Sequence, residues 1–142
     1  MYPVSRLHDR AAKLNIPVLT YPLPLTRSMS IRTEAGCVIG MDASVQDGGK
    51  RERAHLSHEL GHCATGSFYC RYASRDLRER HENRADKWAI RELIPLRAFD
   101  DAIATGHTTI WELADHFGVP EQFMRKAVCL YTHGNLAANL YF

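Results

Sequence analysis

His58-Glu59-Leu60-Gly61-His62 places two imidazoles four residues apart, with a carboxylate between them. On a helix, residues at that spacing differ by about 40° in azimuth and lie roughly 6 Å apart, so both rings can reach one ion. Glu59 points about 100° away from His58, within reach of water beside that ion without having to ligate it. This is the minimum set for holding a zinc ion and removing a proton from water next to it.

Glu82 and Asp86 follow after nineteen intervening residues, inside a stretch that reads as helix from about Ser74 to Leu93. Ala85, Ala89 and Leu93 share their stripe at helical spacing, and Pro95 stops the helix. Small alanines let that helix approach another closely, and acids on a close-packing face need partners. A zinc site provides both: Glu82 becomes the third ligand, and Asp86 accepts the N–H of a ligand histidine and fixes its tautomer. Two histidines and one carboxylate leave a fourth tetrahedral position open, the arrangement of catalytic rather than structural zinc. The competing reading pairs both acids with Arg78, Arg84 or Lys87 on a solvated helix surface.

With these residues in view, the chain resembles the ImmA/IrrE-type metallopeptidases, relatives of the thermolysin-like gluzincins. His58-Glu59-Leu60-Gly61-His62, then Glu82-x-x-Ala85-Asp86-x-Trp88-Ala89 and the close Leu93-Ile94-Pro95 carry the resemblance, which is strong from about His55 to Pro95. It continues more weakly through Leu113-Ala114-Asp115-His116-Phe117-Gly118-Val119. The resemblance implies a zinc endopeptidase with His58, His62 and Glu82 as ligands and Glu59 as general base. It further implies a narrow substrate, a helix-turn-helix repressor of a prophage or other mobile element, whose cleavage relieves repression. Many members carry Glu before the alanine and Asn after it; Arg84 and Asp86 stand there instead, and neither is an implied ligand. The competing function keeps the metal and drops hydrolysis: a zinc-binding regulatory module that binds a transcription factor or DNA without cutting.

The elements that position these groups are legible around them. A first helix from about Val4 to Leu14 carries Leu7, Ala11 and Leu14 on one side. Extended pieces follow at Val18 to Tyr21, Ser28 to Thr33 and Cys37 to Met41, the last two flanking Glu34-Ala35-Gly36 as a hairpin. The loop from Asp42 to Gly49 hands over to the metal helix, about Lys50 to Thr65. Gly61 inside that helix costs about 1 kcal/mol relative to Ala, tolerable if another backbone must come close. Leu56, Leu60 and Cys63 are expected to pack away from the metal side. Thr109-Ile110-Trp111-Glu112 is a capping box opening a helix that ends at Gly118, and Pro120 opens another through about Tyr131. The fold class is therefore α+β, with a small antiparallel or mixed sheet on a mainly helical domain and the zinc site between two core helices. Residues 1–50 supply the first helix and sheet, 51–95 the zinc-site helices and 96–142 a C-terminal helical segment, all in one domain.

The last helix pair could begin a helix-turn-helix reader, yet its second helix offers little beyond Arg125 and Lys126, so direct nucleic-acid binding is not expected. A formal charge of +2 over 142 residues does not argue for it either. No stretch approaches a membrane span, and the start lacks a signal peptide's apolar core, so a cytoplasmic setting is expected. In that setting Cys37, Cys63, Cys70 and Cys129 would be reduced, with Cys63–Cys70 the one disulfide considered. His55 is read as lying near the site or at the surface, and His81 ranks below Glu82 as a ligand. A donor for a developing oxyanion is also required, and His107, His116, His133, Tyr69 and Tyr72 remain open for that role.

Overall fold

A computed structural model describes all residues, Met1 to Phe142. The helices are α1 (Val4–Lys13), α2 (Lys50–Thr65), α3 (Arg75–Leu93), α4 (Leu96–Ala104), α5 (Ile110–Phe117) and α6 (Glu121–His133). Three strands, β1 (Val18–Thr20), β2 (Ser28–Thr33) and β3 (Gly36–Met41), form a sheet in the order β1-β3-β2. The expected hairpin is β2–β3, antiparallel with Thr33 opposite Gly36 and Ser28 opposite Met41. β1 adds to the other side of β3 in parallel, pairing Val18 with Ile39, so the sheet is mixed and β2 keeps a free edge.

Local chemistry sets the helix ends. Ser74 caps α3, its hydroxyl accepting the Leu77 N–H, which moves the first helical residue to Arg75. Gly66 and Gly118 end α2 and α5 in the left-handed region, with φ of 65° and 68°. The capping box forms with a one-residue offset: Thr109 accepts from the Glu112 N–H, while the Glu112 carboxylate accepts from the Thr108 N–H. α4 begins directly after Pro95, which stops α3 and serves as the cap residue of the next helix.

The core gathers Leu7 and Ala11 of α1, Ile39 and Met41 of β3, Leu56 and Leu60 of α2, Ile90 and Leu93 of α3, and Leu113, Phe117, Met124 and Leu130 of the last two helices. α2 runs through its middle and brings charged residues with it. Each has partners: Glu52 meets His8 at 2.7 Å and the Gly48 N–H at 3.0 Å, and Arg53 donates to the carbonyls of Tyr2 and Gly118. Arg53 thereby ties the N-terminal segment and the α5–α6 turn to the central helix.

The cysteine expectation is corrected. Cys63 forms a disulfide with Cys37, across a Cα separation of 5.9 Å, whereas Cys70 is free and exposed and Cys129 is free and buried. Two periodicities meet here. Cys37 falls on the face of β3 that carries Ile39 and Met41, and Cys63 continues the Leu56–Leu60 stripe of α2 that packs against that face. The stripe was readable from sequence, but its partner strand was not.

A metal-competent cleft between two helices

α2 presents two adjacent stripes, each a pair of residues four apart. His58 and His62 face α3, and His55 and Glu59 face β2. α3 can approach because α2 has no side chain at Gly61. A Cβ there would lie 3.0 Å from the Ala85 Cα and closer still to its carbonyl oxygen. Glu82 and Asp86 flank Ala85 and are delivered by this contact to the two imidazoles.

The resulting geometry is compact. His58 Nε2 and His62 Nε2 are 3.2 Å apart, and Glu82 Oε2 lies 2.8 Å from the first and 3.0 Å from the second. The opposite nitrogens are both engaged: His58 Nδ1 with Asp86 Oδ1 at 2.7 Å, and His62 Nδ1 with the Ser67 carbonyl at 2.6 Å. A carboxylate and a carbonyl can only accept, so both Nδ1 atoms carry hydrogen. In their neutral form the rings would turn two Nε2 lone pairs and a carboxylate oxygen toward one point. A donor set of that kind fits a divalent cation, and zinc's preference for imidazole and carboxylate suits it.

Charge in the metal-free site follows from the same contacts. Burial pushes His58 down, but its bonds to Asp86 and Glu82 outweigh this and raise its pKa to about 10. His62 is raised as well, since its bonds to Glu82 and to the Ser67 carbonyl overcome burial. Burial works against the charge of Glu82 and Asp86 too, yet the imidazoles, together with Lys126 beside Asp86, hold both carboxyls below their usual range.

Several contacts around this group were not expected from the sequence. Lys126 of α6 reaches Asp86 Oδ2 at 3.0 Å, and Arg125 pairs with Glu121 at 3.8 Å, so neither cation of α6 is unpaired. The Tyr69 hydroxyl donates to Glu82 Oε1 at 2.7 Å, which pushes its pKa up to about 12. Ser28 and Ser30 of β2 donate to the two oxygens of Glu59 at 2.8 and 2.9 Å. Their spacing of two in a predicted strand was the available signal, since it puts both hydroxyls on one face. Lys126 and Ser67 offered no signal. His81 does not join the group that could hold a metal, which consists of His58, His62 and Glu82.

His58, His62, Glu82, Asp86, Glu59 and Lys126 border one cleft of about 1000 Å³, walled by β2 on one side and by Phe68, Tyr69 and the start of α6 on the other. Of the five candidate oxyanion donors, Tyr69 lines it; Tyr72, His107, His116 and His133 do not. The arginines at 71, 75, 78 and 80 also lie outside its lining, and Arg78 donates to the carbonyls of Ala73 and Arg71.

The description IrrE N-terminal-like domain belongs to the family model that matches residues 11–128, a span containing every group of the cleft. No curated protein matches the chain.

Proposed function

The chain belongs to the IrrE N-terminal-like family of ImmA/IrrE metallopeptidases, and from that premise we propose that it is a zinc-dependent endopeptidase. The observation that supports this most directly is the convergence of His58 Nε2, His62 Nε2 and Glu82 Oε2 within about 3 Å, with the Glu59 carboxylate on the next stripe of the same helix. Those three side chains would hold the metal, and Asp86 and the Ser67 carbonyl orient the two rings. Bound zinc supplies Lewis acidity toward a peptide carbonyl and acidifies water.

The protein's own groups divide the remaining work. Glu59 takes a proton from the attacking water and returns it to the leaving amine, the general base and general acid of one cycle. Tyr69 is the donor we assign to the developing oxyanion, because it alone of the five candidates lines the cleft; its hydroxyl, which donates to Glu82 Oε1, would turn that one hydrogen to the oxyanion. The free edge of β2 borders the cleft, so an extended substrate can pair main chain to main chain along it.

The substrate in this reading is a helix-turn-helix repressor of a prophage or mobile element, met in the cytoplasm. That part rests on the family resemblance. The test is co-expression of the chain with the products of neighbouring genes, comparing wild type with Glu59→Gln. A repressor that shortens only when Glu59 is intact supports the reading. If the Gln variant still binds and inactivates the repressor as well as wild type, the chain is a zinc-binding regulatory module instead.

A further inference from the structure

The Glu59 carboxylate is not free to turn. Only 6% exposed, it accepts one hydrogen bond on each oxygen, from Ser30 on Oε1 and from Ser28 on Oε2. Ser28 is itself buried, at 7% exposure, and its hydroxyl also meets His55 Nδ1 at 2.8 Å. From these contacts we infer that Ser28, Ser30 and His55 form a cradle that positions Glu59 for proton transfer. The inference rests on the peptidase reading for its consequence in catalysis and on geometry alone for the cradle.

Counting hydrogens fixes the roles. A serine hydroxyl has one hydrogen, and Ser28 spends it on the Glu59 carboxylate, which as an anion can only accept. His55 must therefore donate Nδ1–H to Ser28 Oγ. Burial lowers the pKa of His55, so the ring is neutral at pH 7 and its Nε2 bears the lone pair. The cradle thus dictates a tautomer, as a metal ligand's partner would, at a histidine that ligates nothing.

The serines settle the plane of the carboxylate. Of its roughly four acceptor positions two are filled, one per oxygen, and the other two stay available to water and to a leaving amine. General-base catalysis depends on that aim, because a proton is transferred only across hydrogen-bonding distance in a suitable pose. A link to substrate follows from the same strand. β2 carries both hydroxyls on one face while its free edge borders the cleft, so a peptide pairing with that edge docks on the strand that holds the base.

The test uses zinc-loaded full-length protein with 15N-labelled histidine. In the wild type, NMR at pH 8 is expected to show His55 as the Nδ1–H tautomer, and Ser28→Ala is expected to release it toward Nε2–H. Kinetics are then measured on the best-cut peptide of a proteome-derived peptide library. Ser28→Ala/Ser30→Ala should lower kcat by about tenfold or more with KM within about twofold and zinc content unchanged, and Ser30→Thr, which keeps the hydroxyl, should retain most of kcat. Should the double variant fail to fold, Ser30→Ala against Ser30→Thr carries the comparison. An Nε2–H tautomer in the wild type, or a kcat indifferent to loss of the hydroxyls, overturns the cradle. If the wild type cuts neither a library peptide nor a co-expressed repressor while His55 still shows the Nδ1–H form, the peptidase reading fails and the cradle stands.

Discussion

Gly61 rests against the backbone of Ala85, and the two residues set the separation of the helices that carry the metal-competent side chains. On helix propensity alone, Gly61→Ala should stabilise α2 by about 1 kcal/mol. The added carbon would lie 3.0 Å from the Ala85 Cα and nearer still to its carbonyl oxygen, which is backbone and cannot swing aside. Overpacking of this kind costs typically 1–3 kcal/mol, so the variant is expected to melt lower than wild type and to bind zinc more weakly as Glu82 is pushed from the imidazoles. A higher melting temperature with unchanged zinc affinity would contradict the close approach.

Asp86 is the acceptor that commits His58 to one tautomer, and Lys126 holds it from the far side. Asp86→Asn removes the charge that both partners rely on, and zinc affinity is expected to fall by about 10- to 100-fold. Lys126→Met keeps the carboxylate and should weaken zinc by a smaller factor. Competition with a chromophoric chelator measures both, and equal affinity in wild type and Asp86→Asn would remove Asp86 from the site's design.

How much of this was open to inspection in the sequence depends on the range of each interaction. His58, His62, Glu82 and Asp86 share two helices, and helical periodicity alone puts them on facing stripes. Gly61 signalled a close approach for the same reason. Cys37 and Cys63 each lie on a readable face, but which strand would lie over α2 is a matter of tertiary packing, so their bond was missed. Lys126 reaches Asp86 across 40 positions of chain, from a helix whose cations the sequence connects to no group of the site. β1 joined in parallel next to β3 rather than beside β2, an order that short strands with few apolar residues do not encode locally.

The pKa shifts predict how the site loads. In the metal-free protein His58 is raised from 6.5 to about 10, so its charged form stabilises the fold fully below pH 6.5, and this contribution is lost as pH rises through about 10. Zinc requires the neutral ring and must displace that proton. Zinc affinity should therefore strengthen with pH across this window, and binding at pH 7.5 should release at least about one proton per metal. Calorimetry in buffers of different ionisation enthalpy counts it. A proton count near zero would mean that His58 is already neutral and that the Asp86 and Glu82 contacts do not charge it.

The Cys37–Cys63 bond closes a loop spanning 26 positions, which contains nearly all of β3 and of α2. On chain entropy, such a cross-link contributes roughly 3 kcal/mol when oxidised, with native-state strain subtracting from it. Reductant should then lower the melting temperature of the wild type by up to about 10 °C, and should leave Cys37→Ser/Cys63→Ser unmoved. The metal group itself is held by α2 against α3, where no cysteine takes part, so zinc should still bind the reduced protein near neutral pH. Because the bond fastens the β2–β3 hairpin to the helix bearing Glu59, its loss should be felt more in peptide cleavage than in metal content. Equal sensitivity of wild type and the double serine variant to reductant would place the effect elsewhere than in this disulfide.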